Sequence, residues 1–353
     1  MKRLMCFALS LLLLTGCASA PAGQRAAAAE PEADVSSTRH VEAMDTIMAL
    51  SAYGSNREKA LDAAEAEILR LDALLSTGKP DSEVSELNRT GTVTLSEDSK
   101  KLVNCAFSLH EETDGAFDVT VYPLMQLWGF PEKEYHLPTA EELADALARV
   151  GMDRLRLEGD TLSLDEGQEI DLGGIGKGYT SQRVMEVYRQ AGVTSGLVSL
   201  GGNVQCLGTK PDGSLWRVGI QDPWKTEGEI AAVVEVQDQA VITSGGYERY
   251  FVDESTGETY CHILDPKTGW PVKSGLASVS IVSPDGMLAD GLSTSLYILG
   301  LEGATQFWRD HSEQFQAIFI DNQGQTFVTE GLKDAVQADA GFTVIPQSEK
   351  SAG

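Results

Sequence analysis

Apolar side chains recur at helical spacing in several parts of this 353-residue chain. Over residues 57–75 they return every three or four positions, which predicts an amphipathic helix. A capping box at Thr139-Ala-Glu-Glu142 predicts the start of a second helix, which ends near Val150. Helices are also predicted over residues 179–191 and 287–299, and a glycine, which commonly ends a helix, follows each of them.

Short apolar segments bounded by turn residues crowd the second half of the chain. They predict strands over residues 196–200, 216–220, 230–236, 249–253, 259–264, 277–282 and 316–320. The segment Val252-Asp-Glu-Ser-Thr-Gly257 predicts a hairpin turn between two of them. Because strands and helices mix without a regular strand–helix–strand alternation, the pattern predicts an α+β fold rather than a doubly wound parallel sheet.

Residues 1–16 have the pattern of a secretory signal peptide. Two basic residues precede an apolar run at residues 7–14, which is too short to span a bilayer as a helix. Leu14-Thr-Gly-Cys17 resembles the bacterial lipoprotein box, in which the cysteine thiol is lipidated after cleavage; an ordinary signal peptide is the alternative. Residues 17–38 are expected to form a flexible tether. Because a lipid on Cys17 would insert into the bilayer, we expect a protein anchored to the cell membrane, outside the cytoplasm.

Residues 39–345 are expected to fold as one domain, with residues 346–353 as a disordered tail.

The charge and the cysteines narrow the class of protein. The net charge of −26 argues against a nucleic-acid partner and predicts that a bound polyanion needs a local cation or a metal. Cys105, Cys206 and Cys261 have no paired spacing, so we predict buried thiols rather than a disulfide framework or a zinc site.

The segment DLGGIGKGY, residues 171–179, combines four glycines with one lysine. It fits neither the P-loop pattern nor GxGxxG, because Asp171, Gly178 and Tyr179 stand where those patterns require other residues. Free backbone N–H groups, Lys177 and a helix starting near Gly178 would still suit a phosphate. From the residues alone, a phosphate site and a structural turn remain equally open.

Two further segments carry candidate chemistry. Asp290 and Thr294 are four residues apart on a predicted helix, so their oxygens share a face and suit a hard cation such as Mg²⁺. Solvated surface residues or a helix cap are the alternative. His262, just before the turn at residues 265–269, is a candidate general base if its pKa is near neutral, although a lone histidine is more often structural.

Seven motifs occur in order along the chain: residues 115–124 with 127–130, then 171–179, 199–203, 216–223, 242–251, 262–272 and 289–294. In this order they resemble the ApbE family of FAD:protein FMN transferases, over residues 38–328. The resemblance implies an ApbE-like, T-fold-related fold, in which helices pack on mixed and antiparallel sheets.

The resemblance also implies a Mg²⁺-dependent enzyme that transfers the FMN part of FAD to a Ser or Thr of an acceptor redox protein and releases AMP. The metal ligands would be Asp290, Thr294 and the backbone carbonyl of Gly174. His262 would activate the acceptor hydroxyl. The residues that would contact the flavin nucleotide are Met44, Ala116, Phe117, Asp118, Asp171, Lys177 and His262.

Two positions depart from the family pattern. Asp45 stands where the family usually has glycine, and Gly78 stands where many members carry an aromatic that packs on the dinucleotide. Trp128 and Trp270 are candidates for supplying that ring. Two alternatives to the transferase stay open: a Mg²⁺-dependent FAD pyrophosphatase that yields FMN and AMP, and a non-enzymatic FAD-binding lipoprotein.

Overall fold

The computed structural model of the chain describes residues 35–225 and 228–348. The predicted signal peptide, Cys17 and most of the predicted tether lie outside these ranges, as do the last five residues of the predicted tail. The first strand begins at Ser36, three residues before the predicted start of the domain. Within the described ranges, no helix combines the length and the hydrophobicity that crossing a membrane requires.

Strands and helices follow one another irregularly along the described residues. In chain order the strands are β1 (Ser36–Ala43), β2 (Thr46–Tyr53), β3 (Thr92–Thr94), β4 (Arg156–Glu158), β5 (Thr161–Ser163), β6 (Gly196–Leu200), β7 (Asn203–Leu207), β8 (Trp216–Gln221), β9 (Ile230–Val236), β10 (Ala240–Gly245), β11 (Tyr250–Val252), β12 (Thr259–Cys261), β13 (Leu276–Ser283), β14 (Gln316–Asp321), β15 (Thr326–Thr329), β16 (Val336–Gln337) and β17 (Thr343–Ile345). The helices are α1 (Arg57–Leu75), α2 (Glu83–Thr90), α3 (Glu97–Glu112), α4 (Tyr122–Leu127), α5 (Ala140–Leu147), α6 (Gly173–Gln190) and α7 (Gly286–His311).

Nine of the described strands form the main sheet, in the order β1-β2-β6-β7-β10-β13-β14-β15-β17. Neighbouring strands are antiparallel except β15 and β17, which are parallel. Smaller sheets are formed by β8, β9 and β16, by β3, β4 and β5, and by β11 with β12. Helices packed on a mixed sheet confirm the predicted α+β class.

The main sheet is covered on both faces. Helices α3, α6 and α7 share one hydrophobic core with β10, β13 and β14. On the opposite face, side chains of β8 and β9 pack against Val241 of β10 and Val282 of β13. All eight residues of β13 are therefore buried, because each of its two faces meets a layer of side chains.

The three cysteines within the described residues are free thiols. Cys206 and Cys261 are buried, as predicted, whereas Cys105 is half-buried. Burial raises the pKa of the Cys105 and Cys206 thiols to about 12, so both stay protonated and unreactive at neutral pH.

Most predicted elements match the structure, but one helix start was wrong. Helix α1 and the capping box of α5 are as predicted. Helix α6 begins at Gly173 rather than near Gly178, so the DLGGIGKGY segment is the first two turns of a helix. Glycine has low helix propensity, which conceals this start from sequence patterns. Helix α7 is broken at Gly300 (φ 70°, ψ 176°), where its end was predicted, and continues beyond it.

The glycines of α6 allow it to contact α7 at backbone distance. A Cβ atom on Gly178 would overlap the carbonyl oxygen of Gly286 and lie 2.6 Å from Cβ of Asp290. A Cβ on Gly286 would in turn lie 2.7 Å from the carbonyl oxygen of Gly178. Neither helix could approach the other this closely with larger residues at these positions.

We therefore expect Gly178→Ala to destabilise the fold by about 3 kcal/mol, because the added methyl group meets backbone atoms that cannot move aside. Gly176→Ala is the matched control: a Cβ there meets nothing within 4 Å, so alanine should be neutral or stabilise by up to about 1 kcal/mol. Urea unfolding of both variants measures the difference. Equal stability of the two variants would contradict the close helix contact.

Candidate functional site

The contact between α6 and α7 holds a buried carboxylate. Asp290 on α7 is 4% exposed. Its Oδ2 accepts a hydrogen bond from the backbone N–H of Gly178 at 2.8 Å, and its Oδ1 accepts one from Nδ2 of Asn203 at 3.0 Å. Burial raises the pKa of Asp290, while the charge of Lys177 and these hydrogen bonds oppose the rise. The carboxylate is thus held by both helices and by β7.

Thr294 lies one turn further along α7, half-buried. Its Oγ1 is 3.1 Å from Oγ of Ser244 on β10, which is also 2.7 Å from Oγ of Ser293. A residue of the main sheet is therefore hydrogen-bonded to the Thr294 hydroxyl.

Gly174, the third predicted metal ligand, lies in the first turn of α6. A Cβ on Gly291 would contact Ile175 of α6 at 3.0 Å, while Gly178 contacts Gly286. The two helices therefore run in opposite directions through the contact, which carries the turn of Gly174 towards Thr294.

The donors of this group suit one kind of cation. No cluster of three or more His, Cys, Asp or Glu side chains able to hold a metal occurs in the described part of the chain. The three predicted ligands would offer one carboxylate, one hydroxyl and one carbonyl oxygen. Mg²⁺ is commonly held by one or two carboxylates while substrate phosphates and water fill its other positions. The described residues offer the charge of Lys177 and two hydrogen bonds to the buried carboxylate of Asp290.

Lys177 is the cation that the predicted site residues share. Its Nζ is 3.5 Å from the carbonyl oxygen of Gly173 in the first turn of α6. Burial raises the pKa of Asp171 and Asp290 and lowers that of His262, and the charge of Lys177 opposes the two rises and adds to the fall. Three residues that are far apart in sequence therefore lie within electrostatic reach of one lysine.

Asp171 stabilises the start of α6. Its Oδ1 accepts a hydrogen bond from the backbone N–H of Gly173 at 2.8 Å. Burial raises the pKa of Asp171, and the positive charges of Lys177 and Arg249 oppose that rise. A carboxylate at a helix N-terminus is favoured by the helix dipole.

His262 follows β12 and is held in one tautomer. Its backbone N–H donates to the carbonyl oxygen of Arg249 at 2.9 Å, and its Nδ1 lies 3.1 Å from the same oxygen. Because a carbonyl can only accept, Nδ1 carries the proton and Nε2 keeps its lone pair. Burial, with the charges of Arg249 and Lys177, lowers the pKa of His262 to about 4, below the near-neutral value expected from the sequence. The ring is therefore a neutral proton acceptor at pH 7.

The segment around Phe117 supports the start of α6. A Cβ on Gly174 would lie 3.2 Å from the Phe117 ring, so a larger residue there would force the ring to move by a few tenths of an ångström. Ala116 beside it is buried. Asp118 uses its carboxylate locally, accepting from the backbone N–H groups of Thr120 at 2.7 Å and Met152 at 3.3 Å. Burial raises the pKa of Asp118. Through these hydrogen bonds, the Asp118 carboxylate joins the backbone that follows Phe117 to the backbone at Met152.

Met44 and Asp45 form the two-residue turn between β1 and β2, with φ values of 50° and 58°. Turns of this kind favour glycine, so the aspartate at this position accepts backbone strain. The backbone N–H of Met44 donates to Oδ1 of the buried Asp72 at 3.0 Å, and its sulfur is 3.7 Å from Oγ1 of Thr180 on α6. The turn is thereby fixed against the glycine-rich helix.

The two tryptophans considered as replacement rings differ in accessibility. Trp128 is completely buried, and its Nε1 donates to the carbonyl oxygen of Gly269 at 2.9 Å, so it cannot pack on a ligand. Trp270 is 41% exposed and packs edge-on against Trp128. Around Gly78, a Cβ would meet only Oγ of Ser76 among the described residues, at 3.7 Å, so the backbone there has space for a larger side chain.

Several residues that contact the predicted site residues had no predicted role. Asn203 and Ser244 lie inside motifs that carry the family resemblance, but nothing in one sequence shows that they contact Asp290 and Thr294. Asp72 had a visible signal, because it interrupts the apolar face of α1 between Leu71 and Leu75.

Known proteins resemble this chain over most of its length. The sequence model of the ApbE family matches residues 44–319, which include both helices, Asp290 and His262. The chain belongs to the ApbE family. The FAD:protein FMN transferase of Salmonella typhimurium is 32% identical over 344 residues, which cover 93% of this chain and 94% of that protein. The FAD:protein FMN transferase of Haemophilus influenzae is 36% identical over 284 residues, 76% of this chain and 80% of that protein.

Solved structures of ApbE proteins share the fold. The ApbE protein of Thermotoga maritima superimposes with a TM-score of 0.80 at 29% identity, covering 85% of this chain and 99% of that one. The flavinyl transferase ApbE of Pseudomonas stutzeri gives 0.75 at 31% identity, covering 86% and 97%. The family and the fold predicted from the motifs are thus confirmed.

The depressed pKa of His262 predicts a pH-dependent stability. In the unfolded chain its pKa returns to about 6.5, whereas in the folded protein it is about 4. As the pH falls, the unfolded state therefore binds a proton at His262 before the folded state does. The free energy of unfolding decreases as the pH falls from about 6.5 to about 4. We expect His262→Gln to remove this pH-dependent decrease. Urea unfolding at pH 7.5 and pH 5 measures it.

The control for this experiment is His40→Gln, which replaces an exposed histidine on β1 and should keep the wild-type difference between the two pH values. The same loss of stability in wild type and in His262→Gln would contradict the depressed pKa.

Proposed function

We propose that this chain is an FAD:protein FMN transferase, which moves the FMN part of FAD to a Ser or Thr hydroxyl of an acceptor protein and releases AMP. The observation that carries the proposal is that the backbone of Gly178, next to Lys177 at the glycine-rich start of α6, binds the buried carboxylate of Asp290, while the charge of Lys177 acts on both Asp290 and His262. These three residues offer a cation, a carboxylate for a metal and a neutral base. The proposal is supported by membership of the ApbE family, since the relatives described above are named FAD:protein FMN transferases.

The proposed reaction is Mg²⁺-dependent, and the donor set described above fits that ion. Asp290, Thr294 and the carbonyl of Gly174 would hold it. Bound there, Mg²⁺ would offset the negative charge of the pyrophosphate as a phosphorus–oxygen bond breaks. Asn203 and the backbone of Gly178 orient the Asp290 carboxylate, as residues behind the ligands of a metal commonly do.

The chain's own residues would perform the remaining steps. Lys177 binds the pyrophosphate of FAD and offsets part of its charge. The acceptor hydroxyl oxygen attacks the phosphorus of the FMN half, and the bond from that phosphorus to the oxygen of the AMP half breaks. Nε2 of His262, which has no proton at neutral pH, takes the proton of the hydroxyl. The products are AMP and an FMN phosphoester on the acceptor. Positioning and electrostatics are the main demands of phosphoryl transfer, so no covalent enzyme intermediate is required.

The deciding experiment incubates the purified domain, from residue 36, with FAD, Mg²⁺ and an acceptor flavoprotein domain that carries a Ser or Thr target. We expect AMP to appear together with a mass gain of one FMN on the acceptor, and EDTA to abolish both. AMP released at the same rate without acceptor would instead indicate an FAD pyrophosphatase. FAD that stays bound and intact in both reactions would indicate a flavin carrier.

Two variants in α7 test the assignment of the carboxylate. Asp290→Asn should reduce transfer by at least about 100-fold, because even residues behind the ligands of a metal contribute about 10- to 100-fold. Ser295→Ala is the control on the same helix, since among the described residues the Ser295 hydroxyl bonds only to the carbonyl of Gly291. Chromatography of AMP measures both rates. Comparable losses in the two variants would mean that helix stability, not the carboxylate, sets the rate.

The proposal extends to location and partner class. Cys17 would be lipidated after removal of residues 1–16, which places the domain outside the cytoplasm on the bacterial cell membrane. The acceptor would be a redox protein reachable from that surface. The support for both is the lipoprotein box and the family resemblance.

Anchoring can be tested with the full-length chain in a bacterial host. Cys17→Ser should move the protein from the membrane fraction to the soluble fraction and abolish labelling by a fatty-acid probe, because the thiol that receives the lipid is gone. Transfer activity in detergent should stay within about twofold, since Cys17 lies outside the predicted domain. Membrane association that survives Cys17→Ser would contradict the anchor.

A further inference from the structure

The hairpin that carries His262 has one unpaired edge. Strand β11 bonds to β12 through alternate residues: the carbonyl oxygen of Arg249 accepts from the N–H of His262, and the N–H of Asp253 donates to Glu258, both at 2.9 Å. In an antiparallel pair, hydrogen-bonded and non-bonded positions alternate. The N–H and C=O groups of Tyr250 and Val252 therefore point away from β12, towards the outer side of β11.

Nothing in the described part of the chain pairs with that outer side. β11 has β12 as its single neighbour there, and the backbone groups of Tyr250 and Val252 have no hydrogen-bond partner among the described residues. The side chains of the two residues are 49% and 51% exposed. Natural edge strands are usually protected by charged residues, proline or a bulge, since an open edge pairs with other chains. Strand β11 is short, at three residues, but its two outward-facing positions are a tyrosine and a valine, neither charged nor proline.

The opposite face of β11 is fixed. Phe251 stacks on Tyr135 with ring centroids 4.8 Å apart, and it also packs against Phe130 and Trp128. Phe251 is opposite Tyr260 in the hairpin. The open edge is therefore presented by a strand that aromatic packing holds in place, which reduces the entropy lost when a partner pairs with it.

The open edge ends at the candidate active site. Arg249, which precedes β11, is the residue whose carbonyl holds the His262 ring. An extended polypeptide paired with Tyr250 would continue past Arg249 at the base of the hairpin, next to the residue whose carbonyl holds the His262 ring. A segment of the acceptor paired with this edge would therefore extend towards His262, which requires a hydroxyl group of the acceptor nearby.

We propose that the acceptor protein binds by adding an extended segment to the free edge of β11, through main-chain hydrogen bonds to Tyr250 and Val252, and that the Ser or Thr beyond this segment reaches His262. This inference rests on the proposed transferase function. Strand addition takes its affinity from main-chain hydrogen bonds, and pockets for alternate side chains add specificity. A second copy of this chain is a poorer occupant, because each copy has a net charge of −26 and like charges repel.

The test uses Val252→Pro in the complete folded domain. Proline removes the outward N–H of Val252 without touching the bonds of the hairpin, which Arg249, Phe251 and Asp253 make. Edge strands accept proline at such positions. We expect the KM for the acceptor to rise about tenfold, the effect of losing roughly one hydrogen bond, while kcat at saturating acceptor and the affinity for FAD change less than about twofold. Val252→Ala and Val252→Thr keep the N–H and are the matched controls.

Hydrogen exchange gives an independent measurement. With wild-type enzyme and an acceptor whose target hydroxyl residue is replaced by alanine, the amides of Tyr250 and Val252 should exchange at least about tenfold more slowly, because pairing covers them. The amide of Phe251, already bonded to β12, should change little.

Three outcomes separate the possibilities. An unchanged KM in Val252→Pro, with unchanged exchange at Tyr250 and Val252, would overturn strand addition. A wild-type dimer that Val252→Pro converts to monomer, with no effect on the acceptor KM, would assign the edge to a second copy and also overturn it. Slowed exchange on acceptor binding without any FMN transfer by the wild type would support the docking edge and refute the proposed function.

Discussion

The hydrogen bond from the backbone of Gly178 to the carboxylate of Asp290 is the interaction on which the rest of the site depends. It requires two helices to touch at backbone distance, which is possible only because Gly178 and Gly286 have no side chains. It also satisfies one oxygen of a buried carboxylate, whose charge would otherwise be costly in the protein interior. Helix packing and the chemistry of the site are therefore a single structural requirement.

Residues at the ends of strands supply the remaining contacts of the site. Asn203 from β7 binds the second oxygen of Asp290, Ser244 from β10 contacts Thr294, and the β11–β12 hairpin delivers His262. Each of these residues lies at or near the end of a strand. The sheet is stabilised by its two covering layers, so the strand ends can carry polar residues without weakening the core.

The sequence was a good guide where local patterns decide the structure. Helix α1 is determined by its apolar spacing, and strands β6 and β9 have the predicted bounds, because their side chains alternate between buried and less buried positions. The start of α6 could not be found in this way. Glycine disfavours a helix locally, and the compensation comes from contact with α7, more than 100 residues away in the chain.

The same limit applies to the site. Asp290, Lys177 and His262 were recognisable as a set only through the family resemblance, since their spacing in sequence carries no information on distance in space. The pKa of His262 could not be anticipated either, because it depends on burial and on two cations that come from different elements. Asn203 and Ser244 are tertiary contacts of the same kind.

The sharing of Lys177 among Asp171, Asp290 and His262 has a consequence for mutational studies. Removing the ammonium group alters the protonation equilibria of all three neighbours at once, so the three responses cannot be treated as independent. Free-energy changes from variants of Lys177 and of any of these residues will not sum, as is common for charges in one network. The lysine couples the titrations of the site, and only a complete thermodynamic cycle can divide its effect among the individual pairs.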